Sequence, residues 1–142
     1  MATVSPVAPP LWLRVAALIA LVWNAFGVVM YLSSVGIFGD PMTGLTETER
    51  TATASIPGWI TGAFAIGTFA GLLGSLGLLL RKGWAQPVLI VSLLALLVLE
   101  GWILFFSGAA QVFGLAVPIM VSAGAVLLAW LATYARGRAW LS

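Results

Sequence analysis

Residues Pro87–Ser107 read PVLIVSLLALLVLEGWILFFS, and Glu100 is the only charged side chain in this stretch. A helix of about 20 such residues crosses the ~30 Å hydrocarbon core of a lipid bilayer. The stretch therefore predicts a transmembrane helix with Glu100 inside the membrane.

Three further apolar stretches of similar length occur elsewhere in the chain. The 142 residues are 62% hydrophobic and 7% charged, whereas soluble domains carry about 25% charged residues. We therefore predict a single domain over residues 1–142 with an all-α membrane fold, an antiparallel four-helix transmembrane bundle. The predicted spans cover about residues 11–33, 57–80, 87–107 and 112–135.

The composition argues against several classes of protein. The chain has no cysteine and no histidine, so it lacks thiolate ligands, imidazole ligands and the commonest general base. Its net charge of +2 is too small to indicate a surface that binds nucleic acid. We expect no metal site, no cofactor and no catalytic residues. An enzyme is not expected, because no nucleophile and base pair can be assembled from these residues.

Lysine and arginine residues indicate the orientation of the helices, because they are more frequent in cytoplasmic loops. With four spans, all but one of these residues fall on the side that holds both chain termini, and only Arg50 falls on the other side. We therefore predict a multi-pass protein with cytoplasmic amino and carboxyl termini. The supporting residues are Arg14, Arg81, Lys82, Arg136 and Arg138.

The loop between the first two predicted spans, Gly36–Ile56, is the only sizeable polar segment of the chain. Thr46 precedes Glu49 by three residues, which is the spacing of a capping box at a helix N-terminus. We predict a short helix over about residues 46–54 that lies at the outer surface of the membrane.

Polar residues within the spans are predicted to share one level of the bundle. Counting about 1.5 Å per helical residue, Glu100 and Asn24 lie at nearly the same height, roughly 20 Å from the cytoplasmic boundary. Thr68 and Ser122 on the other two helices reach this level and complete the predicted polar layer. Ser107 and Gln111 follow Glu100 at seven and eleven residues and are predicted to continue its face toward the outer surface.

Glu100 is the most informative of these candidates. A charged side chain near the bilayer centre costs about 2.5–3.5 kcal/mol on insertion scales, and no cationic residue lies in the spans at that depth. Two interpretations remain open. Glu100 is either a neutral acid bonded to Asn24 or a backbone carbonyl, or part of a proton or substrate site that is open to water.

Small residues recur every four positions along the second predicted span, at Ala63, Gly67, Gly71 and Ser75. Such a ridge lets two helix backbones approach closely in a membrane. We predict that Gly67 and Gly71 pack against other helices of the same chain. A contact face between copies of the chain is the alternative.

Four segments carry a resemblance to a known family: WLRVAALIALVWNAFGVVMYL, PMTGLTETER, IPGWITGAFAIGTFAGLLGSLGLLLRKGWAQPVLIVSLL and YARGRAWL. Together they resemble a family of small four-helix bacterial inner-membrane proteins, whose members are often labelled uncharacterised or "sugar transporter". The resemblance implies the inner membrane of a bacterium. It implies no particular catalytic or binding residue.

Two functions are compatible with these features. The first is a non-enzymatic accessory or structural subunit of a membrane complex, because few polar groups are available for chemistry. The alternative is a small oligomeric transporter or permease, proton-linked through Glu100. The expected partners are the lipid bilayer and either another membrane protein or further copies of the chain.

Overall fold

The computed structural model describes residues 7–142, and all of its regular structure is helical. The helices are α1 (Leu11–Ser34), α2 (Glu47–Ala54), α3 (Gly58–Leu79), α4 (Ala85–Phe105), α5 (Ala109–Phe113) and α6 (Ala116–Gly137). Helices α1, α3, α4 and α6 are long and apolar enough to cross a membrane. The predicted all-α fold with four spanning helices, and a short helix between the first two, is confirmed.

Each of the four spanning helices packs against the next spanning helix in the sequence. Helix α1 packs along α3, α3 along α4, and α4 along α6. Within the described residues, α1 and α6 form no comparable pairing. The bundle therefore has a seam between its first and last spanning helices.

One end of the bundle, which we call the closed end, contains buried apolar side chains from all four spanning helices. Leu13 of α1, Leu78 of α3, Ala85 of α4 and Leu131 of α6 belong to one buried cluster. The last residue of the chain, Ser142, completes this end. Its N–H donates to the Arg81 carbonyl at 2.8 Å, and its own carbonyl accepts from the Gly83 N–H at 2.7 Å.

The opposite end of the bundle carries the two short helices, α2 and α5, which contact one another. Helix α2 begins with the predicted capping box: the Thr46 N–H donates to Glu49 Oε2 at 2.8 Å, and the Glu49 N–H donates to Thr46 Oγ1 at 3.3 Å. The hydrogen bonds from Thr46 lower the pKa of the Glu49 carboxyl below its ordinary value of 4.5.

The segment between α4 and α6 differs from the sequence prediction. Helix α4 ends at Phe105, and α6 begins at Ala116 rather than near Val112. Gly108 and Gly114 have φ of 64° and 83°, a left-handed conformation that glycine adopts without strain. These two glycines bound α5 and prevent a continuous helix.

Glycines of α3 lie at close approaches to other helices. A Cβ added at Gly67 would come within 2.6 Å of Leu96 Cδ2, and one added at Gly74 would come within 2.5 Å of Leu89 Cγ. A Cβ at Gly71 would collide with Asn24 Oδ1 of α1. By contrast, Gly62 of the same helix faces open space. The close packing of α3 therefore runs from Gly67 toward the closed end.

Candidate functional site

A cavity of about 870 Å³ occupies the half of the bundle that faces α2 and α5. All four spanning helices and both short helices contribute to its wall, and Leu89 lies both in the wall and in the buried cluster of the closed end. Phe26 of α1 and Val117 of α6 are 59% and 65% exposed at its edge. The cavity thus lies along the seam between α1 and α6.

Most of the cavity wall is apolar. Its aromatic side chains come from α1, α3, α4 and α5, so that rings approach the space from several directions. Neither lysine nor arginine occurs among the residues of the wall. The aromatic residues of the wall are Trp23, Phe26, Phe64, Trp102 and Phe113.

Glu100 of α4 is the one acidic residue of this wall. Its side chain is only 5% exposed, and Oε2 has no hydrogen-bond partner among the described residues. An unpaired polar atom in an apolar environment is unfavourable by about 1–3 kcal/mol. Glu100 therefore presents an unsatisfied carboxyl group next to a space that is large enough for a ligand.

Asn24 also lines the cavity, but its amide group is engaged between α1 and α3. Asn24 Nδ2 donates to the Ala20 carbonyl at 2.9 Å and to Ser75 Oγ at 3.1 Å. The Ser75 hydroxyl in turn donates to the Gly71 carbonyl at 2.7 Å. Because Gly71 has no side chain, the amide of Asn24 can lie directly against α3.

One of the partners considered for Glu100, the amide of Asn24, is therefore not bonded to it among the described residues. The two residues share a cavity wall, as equal heights on their helices predicted. Height along a helix, however, does not determine the direction in which a side chain points. Ser75 supplies the nearer partner for the amide of Asn24.

Ser92 of α4 is a polar residue of the wall that the sequence reasoning missed. It is buried, and its hydroxyl donates to the Gly67 carbonyl of α3 at 2.6 Å. A signal existed, because Ser92 precedes Glu100 by eight residues and so lies on the same helix face. The sequence indicated Ser75 only as part of the small-residue ridge of the second predicted span.

The other predicted members of the polar layer are distributed differently. Thr68 lines the cavity, and its hydroxyl donates to the Phe64 carbonyl of its own helix at 2.9 Å. Ser122 is partly buried but does not belong to the cavity wall. Ser107 and Gln111 lie beyond the end of α4, so the expectation that they extend the face of Glu100 was wrong.

Ser107 instead has a local role at the start of α5. Its hydroxyl donates to the Ile103 carbonyl at 2.8 Å and accepts from the Ala109 N–H at 2.9 Å. Gln111 is an exposed residue of α5. The helical conformation is interrupted at Gly108 and Gly114, so neither side chain continues the line of α4.

The chemistry of the cavity is therefore simple. The side-chain donors of Asn24, Thr68 and Ser92 are already bonded to protein oxygens. Glu100 alone among the polar residues of the wall has a buried atom without a partner in the described chain. Residues 7–142 contain no group of three histidine, cysteine, aspartate or glutamate side chains arranged to hold a metal ion. The cavity can accept an apolar body and bind a polar group at Glu100, and the wall also contains the Thr53 and Thr61 hydroxyls and the indole N–H groups of Trp23 and Trp102.

Comparisons with known proteins identified no relative of the chain. No family model matches the sequence, and neither a curated protein nor a solved structure is similar to it. The cavity and Glu100 are therefore the features of the molecule that bear on its function.

Proposed function

We propose that this integral membrane protein is a small transporter that binds a small molecule in the cavity next to Glu100. The observation that carries the proposal is the unpartnered carboxyl of Glu100 in the wall of a cavity of about 870 Å³. Small-molecule sites in proteins are mostly apolar clefts of about 300–1,000 Å³ with a few polar groups. The cavity has the size and composition of such a site.

The closed end blocks one end of the cavity, and a cavity closed at one end suits a transporter. Leu89 lies at the floor of the cavity, and the buried cluster of the closed end continues beyond it. A carrier exposes its site to one side of the membrane at a time. The structure is compatible with one such state, with the site reached through the seam between α1 and α6.

An accessory subunit, the other function that the sequence allowed, would contact its partner through the outer surface of the bundle. Such a role does not require an internal cavity, nor a buried carboxyl without a partner. The energetic penalty of leaving Glu100 unsatisfied is explained by a ligand and not by an accessory role. The cavity therefore favours the transporter.

Uptake into vesicles tests this function. We expect the purified protein in liposomes to accelerate uptake of at least one of three probes: ethidium, anilinonaphthalene sulfonate or glucose, which are cationic, anionic and neutral. Val121→Trp places a large ring in the cavity wall and should block that uptake. Val126→Trp is the matched control, because Val126 is exposed on the same helix and outside the wall.

Two results would contradict the proposal. One is uptake of all three probes at the rate of protein-free vesicles. The other is uptake that Val121→Trp and Val126→Trp reduce equally, because the cavity would then not be the path.

We further propose that the protein lies in a bacterial inner membrane with both termini in the cytoplasm. The distribution of lysine and arginine residues among the loops supports the orientation of the termini. The bacterial inner membrane is what the sequence resemblance implies. The chain has no cysteine, so single cysteines can be labelled selectively. A membrane-impermeant maleimide added to intact cells should label Thr48→Cys and not Gly83→Cys. Labelling of Gly83→Cys from outside would disprove this orientation.

A further inference from the structure

We propose that the ligand of the cavity is a lipophilic cation, with Glu100 as its counter-ion. This inference rests on the proposed function and specifies the chemical class of its substrate. It is carried by the placement of one buried carboxyl and several aromatic rings around an apolar space without any cationic side chain.

The charge of the wall favours a cationic ligand. A buried carboxylate is strongly unfavourable unless it is paired with a positive group or hydrogen-bonded. The wall contains no lysine or arginine, and no described residue bonds Glu100 Oε2. A ligand that carries its own positive charge supplies the missing partner. An anionic ligand would meet the carboxylate with no compensating charge.

The aromatic rings of the wall also favour a cation. The faces of tryptophan and phenylalanine rings attract cations, more strongly where water is excluded. Trp23, Phe64 and Trp102 reach the same cavity from three different helices. Aromatic faces and the carboxyl of Glu100 therefore favour the same sign of charge on the ligand.

The polar groups of the wall suit a cation better than a sugar. A sugar presents many hydroxyl groups, and each must find a partner when it is buried. The donors of Asn24, Thr68 and Ser92 are already used within the protein. The other polar groups of the wall are Glu100, the hydroxyls of Ser34, Thr53 and Thr61, and the indole N–H groups of Trp23 and Trp102. They are few in a mostly apolar wall, whereas one charged group on an otherwise apolar molecule matches the cavity.

Binding of the cation is then linked to a proton. When the neutral acid of Glu100 binds the cation, it releases a proton to the solvent and forms a carboxylate–cation pair. Glu100 is the one titratable side chain of the cavity wall, because α1, α2, α3, α5 and α6 contribute none to it. The affinity for a permanent cation should consequently rise as the pH rises.

A pair of probes with the same shape and opposite charge tests the inference. Tetraphenylphosphonium and tetraphenylborate should be compared by equilibrium binding to the detergent-solubilised protein. We expect the phosphonium to bind at least roughly tenfold more tightly than the borate, a difference set by charge alone. Glu100→Gln, which has nearly the same shape, should weaken phosphonium binding at least roughly tenfold and abolish its pH dependence. Glu100→Asp should retain part of the affinity and the pH dependence.

The inference is overturned if the folded protein binds the borate as tightly as the phosphonium, if neither probe binds, or if Glu100→Gln leaves phosphonium binding unchanged. The helical circular dichroism spectrum and melting curve of each variant establish that it is folded. Cavity-dependent uptake of glucose or anilinonaphthalene sulfonate without phosphonium binding would refute the cation and leave the transporter standing. Uptake of all three vesicle probes at the rate of protein-free vesicles would refute the transporter as well.

Discussion

The two halves of the bundle use the same helices and differ in how α1 takes part. At the closed end, Leu13 and Ala17 of α1 belong to the buried cluster together with residues of α3, α4 and α6. In the half that contains the cavity, the buried cluster is formed by Ile60, Leu96, Leu99 and Ala125, which come from α3, α4 and α6. No residue of α1 belongs to this second described cluster.

This difference shows how a four-helix bundle can be stable and still contain an internal site. The closed end contains alanines at contact positions of α1, α4 and α6, which allow the helices to approach closely. In the other half, α1 packs on α3, where Asn24 Nδ2 donates to Ser75 Oγ, and its Trp23 side chain lies near Gly124 of α6. The backbones of α1 and α6 form no extended pairing among the described residues. One half holds the helices together, and the other leaves room for a ligand.

The largest effect is expected where α1 meets α3. Gly71→Leu would place a side chain into the amide of Asn24, so we expect a loss of stability on the order of 3 kcal/mol from overpacking and from a broken hydrogen bond. Gly62→Leu is the matched control on the same helix, because Gly62 faces open space. The melting temperature in detergent should decrease strongly for Gly71→Leu and not for Gly62→Leu. Equal melting temperatures would mean that α1 does not pack on α3 at this point.

A second pair of variants compares the two halves directly. Ala132 and Ala125 lie two turns apart on α6, and Ala132 is fully buried at the closed end, whereas Ala125 lines the cavity. Ala132→Leu should destabilise the protein by about 1–3 kcal/mol, the usual range for overpacking. Ala125→Leu should have a much smaller effect, because its side chain can extend into the cavity. Equal destabilisation by the two variants would show that the cavity is collapsed under the conditions of the measurement.

The smallest predicted effect concerns the hydrogen bond between Asn24 and Ser75. In a double-mutant cycle, Asn24→Leu and Ser75→Ala should be coupled by about 0.6 kcal/mol, the average for such bonds between membrane helices. The pair Asn24→Leu and Glu100→Leu should be additive, because no hydrogen bond joins these residues. Additivity in the first cycle and coupling in the second would instead support the pairing of Asn24 with Glu100 that the sequence suggested.

The sequence predicted the elements whose physical cause is local. Bilayer thickness requires about 20 apolar residues for each span, so the four long helices followed from hydropathy. The spacing of Thr46 and Glu49 predicted the start of α2, and the capping box is present. Gly108 and Gly114 could have indicated the break around α5, but a glycine reveals its left-handed backbone only in the structure.

The site was predictable only in part, since it depends on how helices rotate against one another. Residue counting placed Glu100 and Asn24 at one height, and both line the cavity. It could not show that Asn24 points toward Ser75, nor that α1 and α6 form no extended pairing among the described residues. Those features depend on tertiary contacts such as the close approach at Gly71.

The central claim is that the carboxyl of Glu100 faces a cavity that an apolar molecule can reach. Dicyclohexylcarbodiimide, a lipid-soluble reagent that modifies protonated carboxyls, tests it directly when the modified residue is identified by mass spectrometry. We predict modification at Glu100, slowed by Val121→Trp and by tetraphenylphosphonium but not by Val126→Trp. An unmodified Glu100, or a rate that Val121→Trp leaves unchanged, would contradict the account.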